Sequence, residues 1–295
     1  MTLMSKQLLL IYNPYSGSYH SSILSRIKHD IREKGLSVID RATKKNSSGS
    51  FSVDWPSEKV DYILIVGGDG TVNIVLKQLG AYDLCIPIAI FPLGTANVLA
   101  REFYSLKPTI KDLCCAMLLN QVRYYDLGKV NDVPFMMSFG AGLDSYCTLS
   151  VKTSLKKRVG RFAYIWEVFK VLFRLKKLPI LTLKVDNTTY QGNWIIACNT
   201  KLYAGPYFFD PKISASDRHL DIFILNITSF FDFFSFLYFG FRHRLSLWGN
   251  CQKIRCKQAE ISGHTSVQID GESVSFSSKN LSLSVDDKQV PFIYC

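Results

Sequence analysis

The stretch Asp61-Tyr-Ile-Leu-Ile-Val-Gly-Gly-Asp-Gly-Thr-Val-Asn73 holds the residues of this chain best suited to chemistry. Gly67 and Gly68 directly follow an apolar run, so the backbone can turn sharply there and bring N–H groups up to a bulky anion with no Cβ in the way. Val72, Val75, Leu76 and Leu79 then recur at helical spacing, and the N-terminus of such a helix favours negative charge. Phosphate is the guest these features suit. Asp69 would repel it unless a cation or a substrate proton lay between, which points to a metal–nucleotide complex or a hydroxyl nucleophile. The plainer alternative is a strand-to-helix turn with Asp69 as N-cap and Thr71 bonding locally.

These residues need elements to hold them. Tyr62–Val66 has no polar break, the pattern of a strand buried on both faces of a parallel sheet. Leu8–Tyr12 runs likewise into Asn13-Pro14-Tyr15-Ser16-Gly17; Ile23, Ile27 and Ile31 follow at helical spacing, Gly35 suits a C-cap, and Ser37–Asp40 reads as the next strand. That is a βαβ unit, the start of a doubly wound sheet. Ile86–Phe91 repeats the pattern and ends in Pro92-Leu-Gly-Thr-Ala-Asn-Val-Leu-Ala-Arg101. Three strand-end loops of one parallel sheet open on its carboxyl edge, where open α/β folds bind ligands.

From about Asp126 the texture changes to short strands with turn signals: Leu127–Val130, Pro134–Phe139, Ile180–Val185, Tyr190–Ala197, Leu220–Leu225 and several after Ile254. Such spacing reads as an antiparallel sandwich or barrel. The expected organisation is therefore α/β plus β, with a Rossmann-like nucleotide domain over residues 1–125 and an antiparallel β-rich domain over 126–295 whose tail can return to the first. Thr228–Phe241 is crowded with Phe and Tyr, and core helix, acyl-channel lining and membrane contact all stay open for it.

The chain has 295 residues, 47% hydrophobic and 20% charged, so disorder is not the default; its formal net charge of +11 asks for an acidic partner. Residues 152–177 carry nine Lys/Arg against one Glu, with Leu155, Val159, Phe162, Trp166, Phe169 and Phe173 at helical spacing. This basic amphipathic segment suits an anionic membrane surface, and equally a helix packed on the sandwich with a solvated basic face. No helix-turn-helix, zinc-finger or RNP pattern supports nucleic acid. The eight cysteines show no Cys-x-x-Cys pair, and most sit in apolar runs as reduced core thiols would. The first residues lack a signal-peptide layout, and no apolar run reaches the ~20 residues of a membrane span. A cytoplasmic protein, peripherally bound to membranes, is expected; a homodimer stays open.

Asp61–Asn73 resembles the GGDGT-V-N signature of the diacylglycerol kinase catalytic-domain family, which includes soluble bacterial diacylglycerol kinases, sphingosine kinases and ceramide kinases; NAD kinases and phosphofructokinases carry related loops. Pro92–Arg101 is similar to that family's third motif, and Asn13-Pro14-x-Ser16-Gly17 to its first, with Thr43 after the second strand. Gly140-Ala-Gly-Leu-Asp-Ser145 resembles its GxGxDA segment, and Asp270-Gly-Glu272 its DGE motif. Departures are the polar stretch Thr43–Trp55 where a helix is usual, Ile74 where much of the family has Glu, and Ser216 and Arg218 around Asp217 where an acid and a Gly are usual.

The resemblance implies ATP held by Asn13, Ser16, Gly17, Thr43, Gly67, Gly68, Asp69, Gly70, Thr71, Asn73, Gly94, Thr95 and Asn97. It implies Mg²⁺ near Asp69, with a structural Mg²⁺ at Asp217 made doubtful by the departures there. Asp270, supported by Glu272, would accept the proton of a lipid hydroxyl. Diacylglycerol is the default acceptor; a sphingoid base or other lipid alcohol, NAD, and a non-catalytic nucleotide-binding module are the alternatives.

Overall fold

The computed structural model describes residues 6–16, 19–47, 50–79, 85–104, 106–143, 178–203, 207–263 and 267–295. The basic segment 152–177, Gly17, Asp144 and Ser145 lie outside them. The chain divides into two compact units, residues 1–125 with 287–295, and residues 126–286.

In the first unit, β1 (Gln7–Tyr12), β2 (Ser37–Ala42), β3 (Tyr62–Gly67) and β4 (Ile88–Pro92) form a parallel sheet. Leu8–Ile11 of β1 and all of β3 are buried, as continuous apolar runs demand of strands covered on both faces. From β1 the chain passes through α1 (Ser21–Glu33) to β2 on one side, whereas β3 lies on the other. The order therefore reverses at β1, and the crevice outside the carboxyl ends of β1 and β3 is the topological switch point. The register aligns Tyr12 with Ala42 and Val66, and Gly67 with Pro92, so four loops leave the same edge. Helices α2 (Asp69–Leu79), α3 (Val98–Phe103) and α4 (Ile110–Leu118) complete the unit. In place of a helix after Thr43 there is a short hairpin, Lys44–Lys45 against Phe51–Ser52, in line with the polar, non-periodic sequence.

The second unit is a sandwich of antiparallel sheets. One sheet has the order β10-β9-β8-β5-β12-β13, in which β5 is Ser138–Gly142, β8 Trp194–Cys198, β9 Leu220–Leu225, β10 Cys251–Cys256, β12 Val267–Ile269 and β13 Glu272–Val274. The other contains β7-β6-β11-β14, namely Thr188–Gly192, Leu181–Val185, Gln258–Ser262 and the Asn280–Ser284 part of Asn280–Ile293. Alternate residues such as Ile195, Ile222, Leu183, Ile261 and Leu283 meet in a common core. The opposite face of the first sheet, with Trp194, Ile196, Phe223 and Leu225, packs against Phe233 and Phe236 of α5 (Phe230–Phe241). Buried surroundings push the thiols of Cys251 and Cys256 up to about 12 and about 11, so they stay protonated and inert as core residues.

Two runs read as single strands are each two. Tyr190–Ala197 splits at Asn193, whose residues before and after belong to different sheets. The buried Asn193 amide makes the corner: its Nδ2 donates to the Ile227 carbonyl at 2.6 Å and its Oδ1 accepts the Ile227 N–H at 2.9 Å. Pro134–Phe139 likewise splits into Val133–Phe135 and β5. Asn193→Ala orphans both Ile227 groups inside the protein, at about 1–3 kcal/mol for each lost partner. Urea unfolding of this variant is expected to show a lowered midpoint with an unchanged slope.

Candidate nucleotide and phosphoryl-transfer site

At the carboxyl edge of the first unit's sheet, the Gly67–Gly70 loop and the Leu93–Asn97 loop are built against each other. A Cβ placed on Gly94 would lie 2.5 Å from Gly68 Cα and 2.7 Å from Asn97 Oδ1, and one on Gly68 would lie 2.9 Å from Gly94 Cα. Only glycine at both positions permits this approach. Gly67 makes room in turn for the Thr71 side chain, whose Oγ1 would sit 2.5 Å from an added Cβ. Asn97 adopts the left-handed conformation, φ 48°, and closes its loop on both arms: Oδ1 accepts the Gly94 N–H at 2.8 Å and Nδ2 donates to the Gly94 carbonyl at 2.7 Å.

Asp69 sits between the two loops. Its Oδ2 accepts the N–H of Val98 and its Oδ1 that of Leu99, both at 3.0 Å, so the carboxylate caps the start of α3 from across the sheet edge. It is also the first residue of α2.

On the other side of the switch point, Asn13 Oδ1 accepts the Tyr15 N–H at 2.9 Å, and the Ser16 N–H bonds the Asn13 carbonyl at 3.2 Å. Thr43 is tied to the same place, its N–H donating to the Tyr12 carbonyl at 2.8 Å. Gly70 and Thr95 are exposed. Two of the residues expected at a nucleotide, Thr43 and Asn73, are almost wholly buried while the Thr43 hydroxyl and both polar atoms of the Asn73 amide lack hydrogen-bond partners. Buried polar groups are seldom left so, and each is a place where a ligand or water belongs. Sequence reading missed the aromatic rings at this edge: Tyr12 stacks on Tyr19 at 5.7 Å between centroids, and Tyr15 tilts on Phe51 at 5.6 Å. The only local signal for these was the Tyr that closes β1.

Asp217, Asp270 and Glu272 belong to the second unit. Asp270 lies in the β12–β13 turn with φ 49°, buried, and its carboxylate accepts three backbone N–H groups: Met136 on Oδ2 at 2.9 Å, and Met137 and Ser138 on Oδ1 at 2.7 and 2.9 Å. These bonds make the corner between Val133–Phe135 and β5. Glu272 is exposed at the start of β13.

Around Asp217 the structure supplies cations from the protein. Arg255 Nη2 lies 2.5 Å from Asp217 Oδ2, and Lys253 Nζ lies between Asp210 and Asp221, at 2.8 and 2.7 Å. Arg218, at φ 63° where the resemblance has Gly, donates its backbone N–H to the buried Asp126 at 2.6 Å and brings its guanidinium to 3.4 Å from the same carboxylate. Burial by itself would raise Asp210, but the Lys253 ammonium and the Lys212 N–H outweigh it and hold the carboxyl below its ordinary range. Burial would lower Lys253, and its two carboxylates outweigh that and raise it. Among the described residues no group of three or more His, Cys, Asp or Glu is arranged to hold a metal. With ammonium and guanidinium groups on its carboxylates, this donor set does not fit a divalent cation, which needs several oxygen ligands to itself.

Residues 7–130 match the family model of the diacylglycerol kinase catalytic domain. A protein of Staphylococcus aureus strain Mu3 named "putative lipid kinase" is 31% identical over 176 residues, covering 59% of this chain and 57% of that protein. A protein of the same name from Staphylococcus carnosus strain TM300 is 29% identical over 179 residues, covering 59% and 58%. The chain thus matches little more than half the length of these relatives. Among solved structures, "a putative diacylglycerol kinase" from Bacillus anthracis strain Sterne superposes with a TM-score of 0.73 at 20% identity, covering 98% of this chain and 95% of the other. An NAD kinase from Archaeoglobus fulgidus in complex with ATP superposes at 0.55 and 16% identity, over 97% and 93%. At these identities the superpositions establish the fold: an N-terminal α/β domain of the diacylglycerol kinase and NAD kinase type, followed by an antiparallel β domain.

Two consequences can be measured. Gly94→Ala forces apart the two glycine loops, at about 1–3 kcal/mol for overpacking, and nucleotide affinity measured by calorimetry is expected to fall with it. Lys253→Met leaves Asp210 and Asp221 facing each other with no cation between them. At neutral pH the loss should be about 3 kcal/mol, the low end for a broken buried pair because Lys253 is part-exposed. Asp210's folded value is depressed, so its share of stability is full above the ordinary carboxylate range and is lost as pH falls from that range down through the lowered folded value. The gap between wild type and Lys253→Met should therefore narrow on acidification, as read from Tm against pH.

Proposed function

We propose, for a chain whose residues 7–130 match the family model of the diacylglycerol kinase catalytic domain, that it is an ATP-dependent lipid kinase transferring the γ-phosphate to a lipid hydroxyl, with diacylglycerol the first acceptor to test. The observation that carries this reading is at one sheet edge: four loops, two of them glycine-built, meet buried Thr43 and Asn73 side chains whose polar atoms have no protein partner. Phosphoryl transfer needs positioning and charge neutralisation more than covalent chemistry, and a loop of close-approaching N–H groups at a helix start is suited to both.

In this reading the Asn13–Ser16 loop and Thr43 flank the nucleoside, and the Gly67–Asn73 and Gly94–Asn97 loops hold the phosphates. Mg²⁺ supplies charge neutralisation when it arrives with ATP; Asp69, already capping α3, orients the loops rather than acting as a lone metal ligand. Asp270 receives the acceptor's proton. In a loose transition state that proton leaves late, so a carboxylate fixed in direction by three amides can serve without being an unusually strong base. An anionic membrane surface as partner and a cytoplasmic, peripheral location accord with the net charge of +11 and with the absence, among the described residues, of a helix long and apolar enough to cross a membrane.

The test uses labelled ATP and Mg²⁺ with mixed micelles of diacylglycerol, monoacylglycerol, sphingosine, ceramide or phosphatidylglycerol, and NAD as a non-lipid acceptor. Label is expected in one lipid and, with Asp270→Asn, at a rate at least ~10²-fold lower. Asn turns an N–H toward amide donors and should also lower Tm, so turnover is measured well below the variant's Tm and normalised to folded protein. Near-normal turnover would remove Asp270 from the proton step; ATP binding with no labelled lipid would defeat the kinase reading.

A further inference from the structure

Helix α5 carries aromatic residues on both of its sides, and the sheet covers one. Phe233 and Phe236 are buried against Trp194 and the outer face of the β8–β9 sheet, with the Trp194 and Phe236 rings 4.8 Å apart. Phe230, Phe234, Tyr238 and Phe241 recur at intervals of four, four and three residues, and Phe231 lies beside them, so they share the opposite face. Phe231 is 80% exposed, Tyr238 and Phe241 57%, Phe234 56% and Phe230 42%. Tyr207 meets Phe241 edge-on at 5.1 Å and extends the patch.

We propose that this outward face of α5 docks the protein on an anionic lipid bilayer, lying in the interface with its rings among headgroups and the first acyl carbons. The charge flanking the face fits that partner: Arg242 and Arg244 follow the stripe directly, both exposed, and the Arg242 guanidinium lies 5.4 Å from the Tyr238 ring centre. The one acid of the helix, Asp232, is turned away from the stripe and engaged at the N-cap, where it accepts from Thr228, Ser229 and Asn250. Twelve residues are too few to cross a bilayer but suit an in-plane helix. A second copy of the chain is the competing occupant, and the test below separates it from a bilayer. Choosing a bilayer rests on the lipid-acceptor reading for its use, but docking is measurable without the reaction.

The experiment sediments the full chain with phosphatidylcholine vesicles, with and without phosphatidylglycerol, at low and high salt. The triple variant Phe231→Ser, Phe234→Ser, Tyr238→Ser changes only exposed side chains and should keep the wild-type Tm. Its partitioning onto phosphatidylglycerol vesicles is expected to fall at least tenfold at high salt, where screening removes most of the electrostatic attraction. Arg242→Gln with Arg244→Gln should weaken binding at low salt only. Wild-type protein that leaves vesicles unbound, a triple variant that binds as well as wild type, or a wild-type dimer that the serines make monomeric would each overturn the proposal. Stripe-dependent binding without phosphorylation of any lipid would uphold docking while the kinase reading fails. Transfer to a short-chain, water-soluble diacylglycerol should be the same in wild type and triple variant.

Discussion

A single carboxylate holds the loop edge of the first unit's sheet together. An acid in a glycine loop is costly to an anion only if its charge faces outward, and Asp69 gives one oxygen to each of the first two N–H groups of α3. The charge is engaged at a helix start, and two loops that are far apart in sequence are set to one geometry. The Gly68–Gly94 contact is the complement of that bond. Once Asp69 pulls the loops together, their backbones meet at a distance no side chain allows, so the two glycines and the acid form one device.

What the sequence disclosed follows the physics of each unit. In the first unit the strands are buried on both faces, so Leu8–Ile11 and Tyr62–Val66 announce themselves as unbroken apolar runs and their loops must share an edge. In the second unit the signal fails at corners. Val133–Phe135 turns into Ser138–Gly142 because Asp270, more than 130 residues away, binds the three amides at the bend. Tyr190–Ala197 breaks because Asn193 pairs with Ile227. The first bend, at Met136-Met137, has no turn residue of its own, whereas the second falls at Gly192-Asn193, a local turn signal inside an otherwise strand-like run. Buried polar side chains that bond distant backbone make the breaks, and a window of neighbouring residues does not contain them.

The same limit explains the acidic cluster around Asp217. Sequence reading saw that an acid had become Ser216 and a glycine Arg218, but not what replaced the expected cation. The β9–β10 register places Asp221 opposite Arg255 and Phe223 opposite Lys253, so Lys253 reaches Asp221 on the diagonal while Arg255 turns to Asp217. Cations two residues apart on one strand thus meet acids on its neighbour and on the loop before it. Arg218 itself occupies the left-handed region that favours glycine, and its guanidinium pairs with an Asp126 that has no exposure. A side chain that costs backbone strain of order 1 kcal/mol is offset by neutralising a buried charge, which by itself costs several times more.

Composition alone could not divide α5 into core and surface, because Phe, Leu and Tyr occupy its whole circumference. A flat sheet can cover only one side of a helix: the β8–β9 face buries Phe233 and Phe236, with Leu237 and Phe239 half-buried at its margin. The remaining rings therefore exceed what folding requires. Replacing them with polar residues would leave Phe233 and Phe236 on the sheet, whereas keeping five large aromatic side chains on one exposed face carries a standing risk of aggregation. Such a surface makes physical sense when something other than water meets it. Asp232, engaged at the N-cap at one end, and the Arg pair at the other give it a polarity that a helix packed on all sides would have no use for.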